Sequence, residues 1–176
     1  MAKIYLIGYM GSGKSTAGQK LATKLNYQFI DLDRFIESEY GKTIPQIFAE
    51  KGESEFRAFE NNALKKIITM DNIVVACGGG TPCFYNNMEL MNDTGITVYI
   101  KMSVDVLMSR LKAAKEERPL IKNKTEDELR KFISRQLETR EDFYHKAQYL
   151  VKGKDLKVDE LVTFIKDQIE TKVGQP

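Results

Sequence analysis

Gly8-Tyr9-Met10-Gly11-Ser12-Gly13-Lys14-Ser15 is the stretch that decides how this chain folds. It fits the phosphate-binding pattern G-x-x-x-x-G-K-S/T, which needs a strand before it and a helix after it. Lys3-Ile4-Tyr5-Leu6-Ile7 precedes it, an apolar run short enough for a buried strand. Thr16 to Leu25 follows, with Ala17, Leu21, Ala22 and Leu25 at helical spacing. The glycines let backbone N–H groups turn inward on an anion, and the helix aims its positive end at the same point. Lys14 supplies a mobile charge for the β- and γ-phosphates, and Ser15 offers a hydroxyl to Mg²⁺. The stretch therefore predicts a nucleotide-binding protein.

The composition agrees with one folded unit. The chain has 176 residues, the size of a single domain, and 42% hydrophobic residues, enough to fill a core. With 27 basic and 25 acidic side chains the net charge is +2, which argues against a nucleic-acid surface as the main function. No apolar run reaches the ~18 residues of a membrane span. The sequence begins directly with a strand, which predicts no signal peptide. Cys77 and Cys83 make neither a disulfide framework nor a four-ligand zinc site. They are expected to be free thiols in a cytoplasmic protein.

Outward from the loop, strands alternate with helices. Tyr27 to Leu32 is the second predicted strand, and Asp31-Leu32-Asp33 closes it. Arg34 to Tyr40 reads as a short helix ended by Gly41. Thr43 with Gln46 forms a capping box for the next helix, with Pro45 in its first turn. Gly52 breaks that helix, and a longer one runs through Phe56, Phe59, Ala63, Leu64, Ile67 and Ile68. Ile73 to Cys77 is a third strand and leads into Gly78-Gly79-Gly80-Thr81-Pro82. A helix over Asn86 to Asn92, a strand over Ile96 to Ile100 and a helix capped by Ser103 come next. Lys112 to Lys124 is rich in Lys, Glu and Arg and is expected to be a mobile lid. Thr125 with Glu128 caps a further helix. Gln148 to Val151 is a weak fifth strand, and the last helix carries Leu161, Val162, Ile165 and Ile169.

Apolar strands alternating with helices predict a parallel sheet covered on both faces. Ligands in such sheets bind beyond the carboxyl ends of the strands. The phosphate loop, the pair Asp31 and Asp33, and the triple glycine each follow a strand, so the three converge on one cleft. Two carboxylates there divide two tasks: holding Mg²⁺ and accepting a hydroxyl proton. Strand three ends in glycine where phosphate-loop enzymes usually carry a second acidic group, so Asp31 is the substitute. Three successive glycines cost chain entropy, which is reasonable where a ligand touches the backbone. Arg57 and Arg140 are either plain surface arginines or, if both face the cleft, planar forks for a carboxylate. His145, the single histidine, reads as a surface residue, because phosphoryl transfer needs none.

With these residues in place, the chain resembles the shikimate kinase family over nearly its whole length. The matching stretches are residues 8–16, Phe29-Ile30-Asp31-Leu32-Asp33 with Ile36 and Glu37, Phe56-Arg57-x-x-Glu60, Gly78 to Gly80, Arg118-Pro119-Leu120, and Arg140-x-x-x-Tyr144. The resemblance implies a single three-layer P-loop kinase domain over 1–176. It implies a five-stranded parallel sheet in the order 2-3-1-4-5, helices on both faces, substrate-binding helices over 33–61 and a lid over 112–124. It also implies transfer of the γ-phosphoryl of ATP to the 3-hydroxyl of shikimate, on the pathway to chorismate and the aromatic amino acids.

The resemblance further assigns roles. Lys14, Asp33 and Arg118 are the catalytic residues. Gly11, Ser12, Gly13, Lys14, Ser15, Thr16, Arg110 and Arg118 bind ATP, with Arg110 against adenine and a second adenine contact around Lys152 to Asp155. Asp33, Arg57, Gly78, Gly79, Gly80 and Arg140 bind shikimate, and Ser15 and Asp31 hold Mg²⁺. Phe48, Phe56, Glu60, Pro119 and Leu120 line or brace the pocket. The expected partners are ATP and shikimate, with no nucleic acid, no membrane and a monomeric state. Two alternatives remain: another small-molecule kinase on this fold, for gluconate or a nucleotide, and a nucleotide-binding regulatory module without catalysis.

Overall fold

The computed structural model describes residues 2–113 and 124–173. The chain runs through β1 (Lys3–Ile7), α1 (Lys14–Leu25), β2 (Gln28–Asp31), α2 (Leu32–Tyr40), α3 (Ile44–Ile67), β3 (Ile73–Ala76), α4 (Asn87–Thr94), β4 (Ile96–Lys101), α5 (Val104–Ala113), α6 (Glu126–Tyr144), β5 (Tyr149–Lys152) and α7 (Val158–Val173). A single 3₁₀ turn, Thr81–Cys83, links β3 to α4. The five strands pair in parallel in the order β2-β3-β1-β4-β5, as expected.

Side chains on a strand alternate between faces, and β1 shows what that does here. Ile4 and Leu6 pack with Val74, Val98, Leu21, Ala22, Leu161 and Ile165, so α1 and α7 cover one face. Tyr5 and Ile7 pack with Ile30, Val75, Leu64, Ile67, Leu107 and Ile133, so α3, α5 and α6 cover the other. The central strands are apolar throughout because both faces are buried.

Caps read from the sequence are formed. Thr43 accepts from the Gln46 N–H and Gln46 returns a bond to the Thr43 N–H. Thr125 and Glu128 do the same for α6, and the Ser103 hydroxyl accepts from the Val106 N–H. Gly52 does not end α3. It sits inside it as a kink at φ 78°, ψ 173°, a backbone region closed to other residues, so the two expected helices run on with a bend. The second strand is shorter than expected. Its last residue, Asp31, caps α2 by accepting from the Arg34 N–H at 3.3 Å. Asp33 therefore lies in the first turn of a helix and not at the strand end, because the cap ends the strand at Asp31, one residue early. The lid expected over 112–124 lies outside the described residues save for its ends, and so do Arg118, Pro119 and Leu120. No described helix is long and apolar enough to cross a membrane.

Candidate active site

The phosphate loop joins β1 to α1, and Gly8, Gly11 and Gly13 in it all have positive φ, a conformation open to glycine. That lets the loop curl tightly enough for the Ser12 N–H to bond the Tyr9 carbonyl at 3.1 Å. Lys14 is buried across the loop and donates to the carbonyls of Gly8 at 2.8 Å and Tyr9 at 2.9 Å. The Ser12 hydroxyl is buried with no hydrogen-bond partner among the described residues. A buried orphan hydroxyl costs free energy unless something satisfies it, and a phosphate oxygen in the loop is a suitable acceptor. Thr16 stands exposed in the first turn of α1. Arg110, from α5, reaches over the loop: a methyl group on Gly13 would stand 3.0 Å from its Nη1.

Next to the loop, the Ser15 hydroxyl donates to Asp31 Oδ2 at 2.8 Å. A hydroxyl and one carboxylate fit Mg²⁺ held mainly by nucleotide phosphates and water. No described cluster of three or more His, Cys, Asp or Glu would hold a metal by itself. Ser15 and Asp31 are therefore the oxygens that could hold it.

Asp33, Glu60 and Thr81 converge on the glycine loop. A methyl group on Gly78 would lie 3.0 Å from Asp33 Oδ1, 3.1 Å from the Thr81 hydroxyl and 3.2 Å from Glu60 Oε1. Burial raises the Asp33 carboxyl to about 6, helped by the charges of Asp31 and Glu60 and opposed by Lys14. That carboxyl is ionised at neutral pH yet basic enough to take a proton, a combination suited to a general base.

The two arginines arrive from α3 and α6. Arg57 donates from Nη1 to Glu60 at 2.9 Å and from Nη2 to Glu53 at 3.2 Å. A methyl group on Gly80 would meet its Nη2 at 2.6 Å, so only glycine leaves room for the guanidinium there. Arg140 Nη1 stands 3.3 Å from the same kind of group on Gly79, and its Cζ lies 5.7 Å from the Tyr9 ring centroid. Both arginines thus face the triple glycine. Phe56 is buried and its ring packs against Phe48, centroids 4.5 Å apart and planes tilted by 34°.

His145 is exposed at the end of α6, 3.4 Å from Lys101 Nζ. Cys77 and Cys83 are free thiols whose proton affinity burial raises, Cys83 to about 11. Lys152 ends β5 and residues 153–155 follow it, with Asp155 at φ 58°. Three side chains that sequence reading left without a role stand at the site. Tyr144 donates to the Gly79 carbonyl at 2.6 Å, one helical turn after Arg140, and that i, i+4 spacing was the available signal. Thr81 donates to Glu60 at 2.5 Å. Tyr9 donates to Gln136 at 2.8 Å, tying the phosphate loop to α6, and no local pattern marks it.

A parallel sheet in this order, with a phosphate loop after its central strand and a carboxylate and two arginines opposite, defines a P-loop kinase. Comparisons with known proteins narrow the class. The shikimate kinase family model matches residues 10–170. The chain is 48% identical over 157 residues to the shikimate kinase of Bacteroides thetaiotaomicron, covering 89% of this chain and 90% of that one. It is 43% identical over 175 residues to the shikimate kinase of Phocaeicola vulgatus, covering 99% and 100%. The crystal structure of the Bacteroides thetaiotaomicron shikimate kinase superposes with a TM-score of 0.90 at 44% identity, over 96% of this chain and 98% of that one. That of Acinetobacter baumannii shikimate kinase in complex with shikimate gives 0.85 at 31% identity, over 99% and 96%. This chain belongs to the shikimate kinase family.

Proposed function

We propose that the protein transfers the γ-phosphoryl of ATP to the 3-hydroxyl of shikimate, giving shikimate 3-phosphate for chorismate and aromatic amino-acid synthesis. The observation that carries this reading is the gathering of Asp33, Arg57 and Arg140 around Gly78 to Gly80, beside the phosphate loop. Shikimate is a carboxylate with ring hydroxyls, and this cleft offers two planar cations and one basic carboxylate. Arg57 and Arg140 clamp the acid end, which fixes the ring. Asp33 accepts a hydrogen bond from the attacking hydroxyl and takes its proton as the new P–O bond forms. Lys14 and the loop N–H groups stabilise charge on the transferring phosphoryl. Arg110 packs against adenine. Ser15 and Asp31 would hold Mg²⁺, which would neutralise phosphate charge. Arg118, the further cation that the family resemblance assigns to the phosphates, lies outside the described residues.

The reading includes a cytoplasmic monomer. A coupled ATPase assay with shikimate, gluconate and nucleoside monophosphates tests the substrate. Turnover with shikimate alone is expected. Turnover with gluconate or a nucleotide in its place would move the protein to another kinase activity, and no turnover with any of them would favour a regulatory module.

A further inference from the structure

We propose that Phe84 is a positioning residue for Arg57, an aromatic plate that sets the tilt of the guanidinium in the acid-binding end of the cleft. The inference rests on reading Arg57 as a carboxylate anchor. Arg57 Cζ lies 4.1 Å from the Phe84 ring centroid and 5.1 Å from that of Phe56, both inside cation–π range, so the Phe84 contact is the closer of the two. The ion pairs of Arg57 do not fix its plane. Glu60 is fully buried and grips one nitrogen, Nη1, which leaves rotation about that contact. Glu53 is 60% exposed, so its pull is weak in water. Nε is buried with no hydrogen-bond partner among the described residues and directs nothing. What remains is contact on the faces, closest from the Phe84 ring and the Gly80 backbone, with Phe56 farther off.

Phe84 can do this because its own platform is rigid. It follows the 3₁₀ turn Thr81–Cys83. Thr81 is bonded to Glu60, the partner that also holds Arg57. The Asn87 side chain donates to the Thr81 carbonyl at 2.9 Å, and Asn61 donates to Asn87 at 2.7 Å, both buried. One short segment, from Gly80 to Phe84, therefore supplies the backbone beside the guanidinium, the clamp on its carboxylate partner and the ring on its face. A bidentate grip on a substrate carboxylate needs the arginine fork in a set plane, so loss of the plate should weaken the acid and leave the nucleotide alone.

The test is steady-state kinetics of the full chain with varied shikimate and ATP, for Phe84→Leu, Phe84→Tyr, Phe84→Trp, Arg57→Ala and the double variant Phe84→Leu/Arg57→Ala. Leucine keeps apolar packing and lacks a π face. Phe84→Leu is expected to raise KM for shikimate about 2- to 30-fold, the range of a cation–π contact. The KM for ATP and kcat should stay within about two-fold. Tyrosine and tryptophan should restore the shikimate KM, and the double variant should be no worse than Arg57→Ala. A normal shikimate KM in Phe84→Leu beside a raised one in Arg57→Ala would overturn the proposal. So would equal losses for leucine and tyrosine, which would mean plain packing. An unchanged KM in Arg57→Ala would instead sink the anchor reading itself. If Phe84→Leu unfolds, Phe84→Met against Phe84→Trp repeats the contrast.

Discussion

The Tyr144 hydroxyl, fully buried, donates to the carbonyl of Gly79 at 2.6 Å. The glycine loop has no side chains of its own to hold it, and this bond ties it to the end of α6. Burial keeps the phenol proton far above its ordinary range, so the donor is present at every working pH. Tyr144→Phe takes the donor from a partly buried carbonyl, which costs up to about 1–3 kcal/mol. Urea unfolding should report that loss, and KM for shikimate should rise with KM for ATP unchanged. A variant as stable as wild type would mean that the loop keeps its shape without this bond.

Asp33 links stability to pH. Its native carboxyl is raised from 3.8 to about 6. Between pH ~4 and ~6 the folded protein holds a proton that the unfolded chain has already released, so this group adds stability as pH falls through that window and takes it away as pH rises. Asp33→Asn removes the buried charge and should be more stable at pH 7, by about 1–3 kcal/mol, with the difference gone near pH 4. Turnover should fall about 10²-fold or more. In the wild type, kcat/KM for shikimate should decline below pH ~6. Thermal melts at the two pH values and a pH–rate profile check both; a destabilised Asp33→Asn at pH 7 would contradict the electrostatic account.

Lys14 bridges two carbonyls of its own loop, and in the proposed reaction its charge serves the transferring phosphoryl. Lys14→Ala should cut kcat by about 10²- to 10³-fold or more, the range for removal of a preorganised charge or donor. Tm should shift little beside that loss. Single-turnover kinetics with saturating ATP separates the lost charge from lost nucleotide binding; near-normal phosphoryl transfer would refute the loop's catalytic part.

Gly80→Ala places a methyl group against the Arg57 guanidinium, at 2.6 Å from Nη2 and 2.9 Å from Cζ. The clash is with the far end of a flexible side chain, so the arginine moves and the fold survives. The expected result is a near-normal Tm with shikimate affinity weakened by about ten-fold or more, as when a buried charge is pulled from its partner. Isothermal titration with shikimate reads this directly. A lowered Tm with unchanged affinity would show that the glycine serves the loop and not the arginine.

The phosphate loop, the capping boxes at Thr43 and Thr125, and the parallel sheet were legible in the sequence because each rests on residues a few positions apart. A short unbroken apolar run in β1 and a spacing of 3 to 4 in α1 are enough to assign strand and helix beside the phosphate loop, and the short apolar strands require cover on both faces. Asp31 and Asp33 were legible as a pair, but their division into a helix cap and a first-turn carboxylate was not, since one hydrogen bond to Arg34 decides it. The convergence of Arg57 and Arg140 was the opposite case. Either side chain is an ordinary surface arginine by local pattern. Only the packing of α3 and α6 on the same face of the sheet brings both to the triple glycine. Burial, likewise a property of the folded whole, raises the Asp33 carboxyl, satisfies Glu60 through Thr81 and sets Phe84 on Arg57. The sequence by itself determined the elements and their order, because hydrogen-bond chemistry and side-chain periodicity act along the chain. The tertiary structure decided which charges meet, because meeting depends on distances between segments that no local pattern encodes.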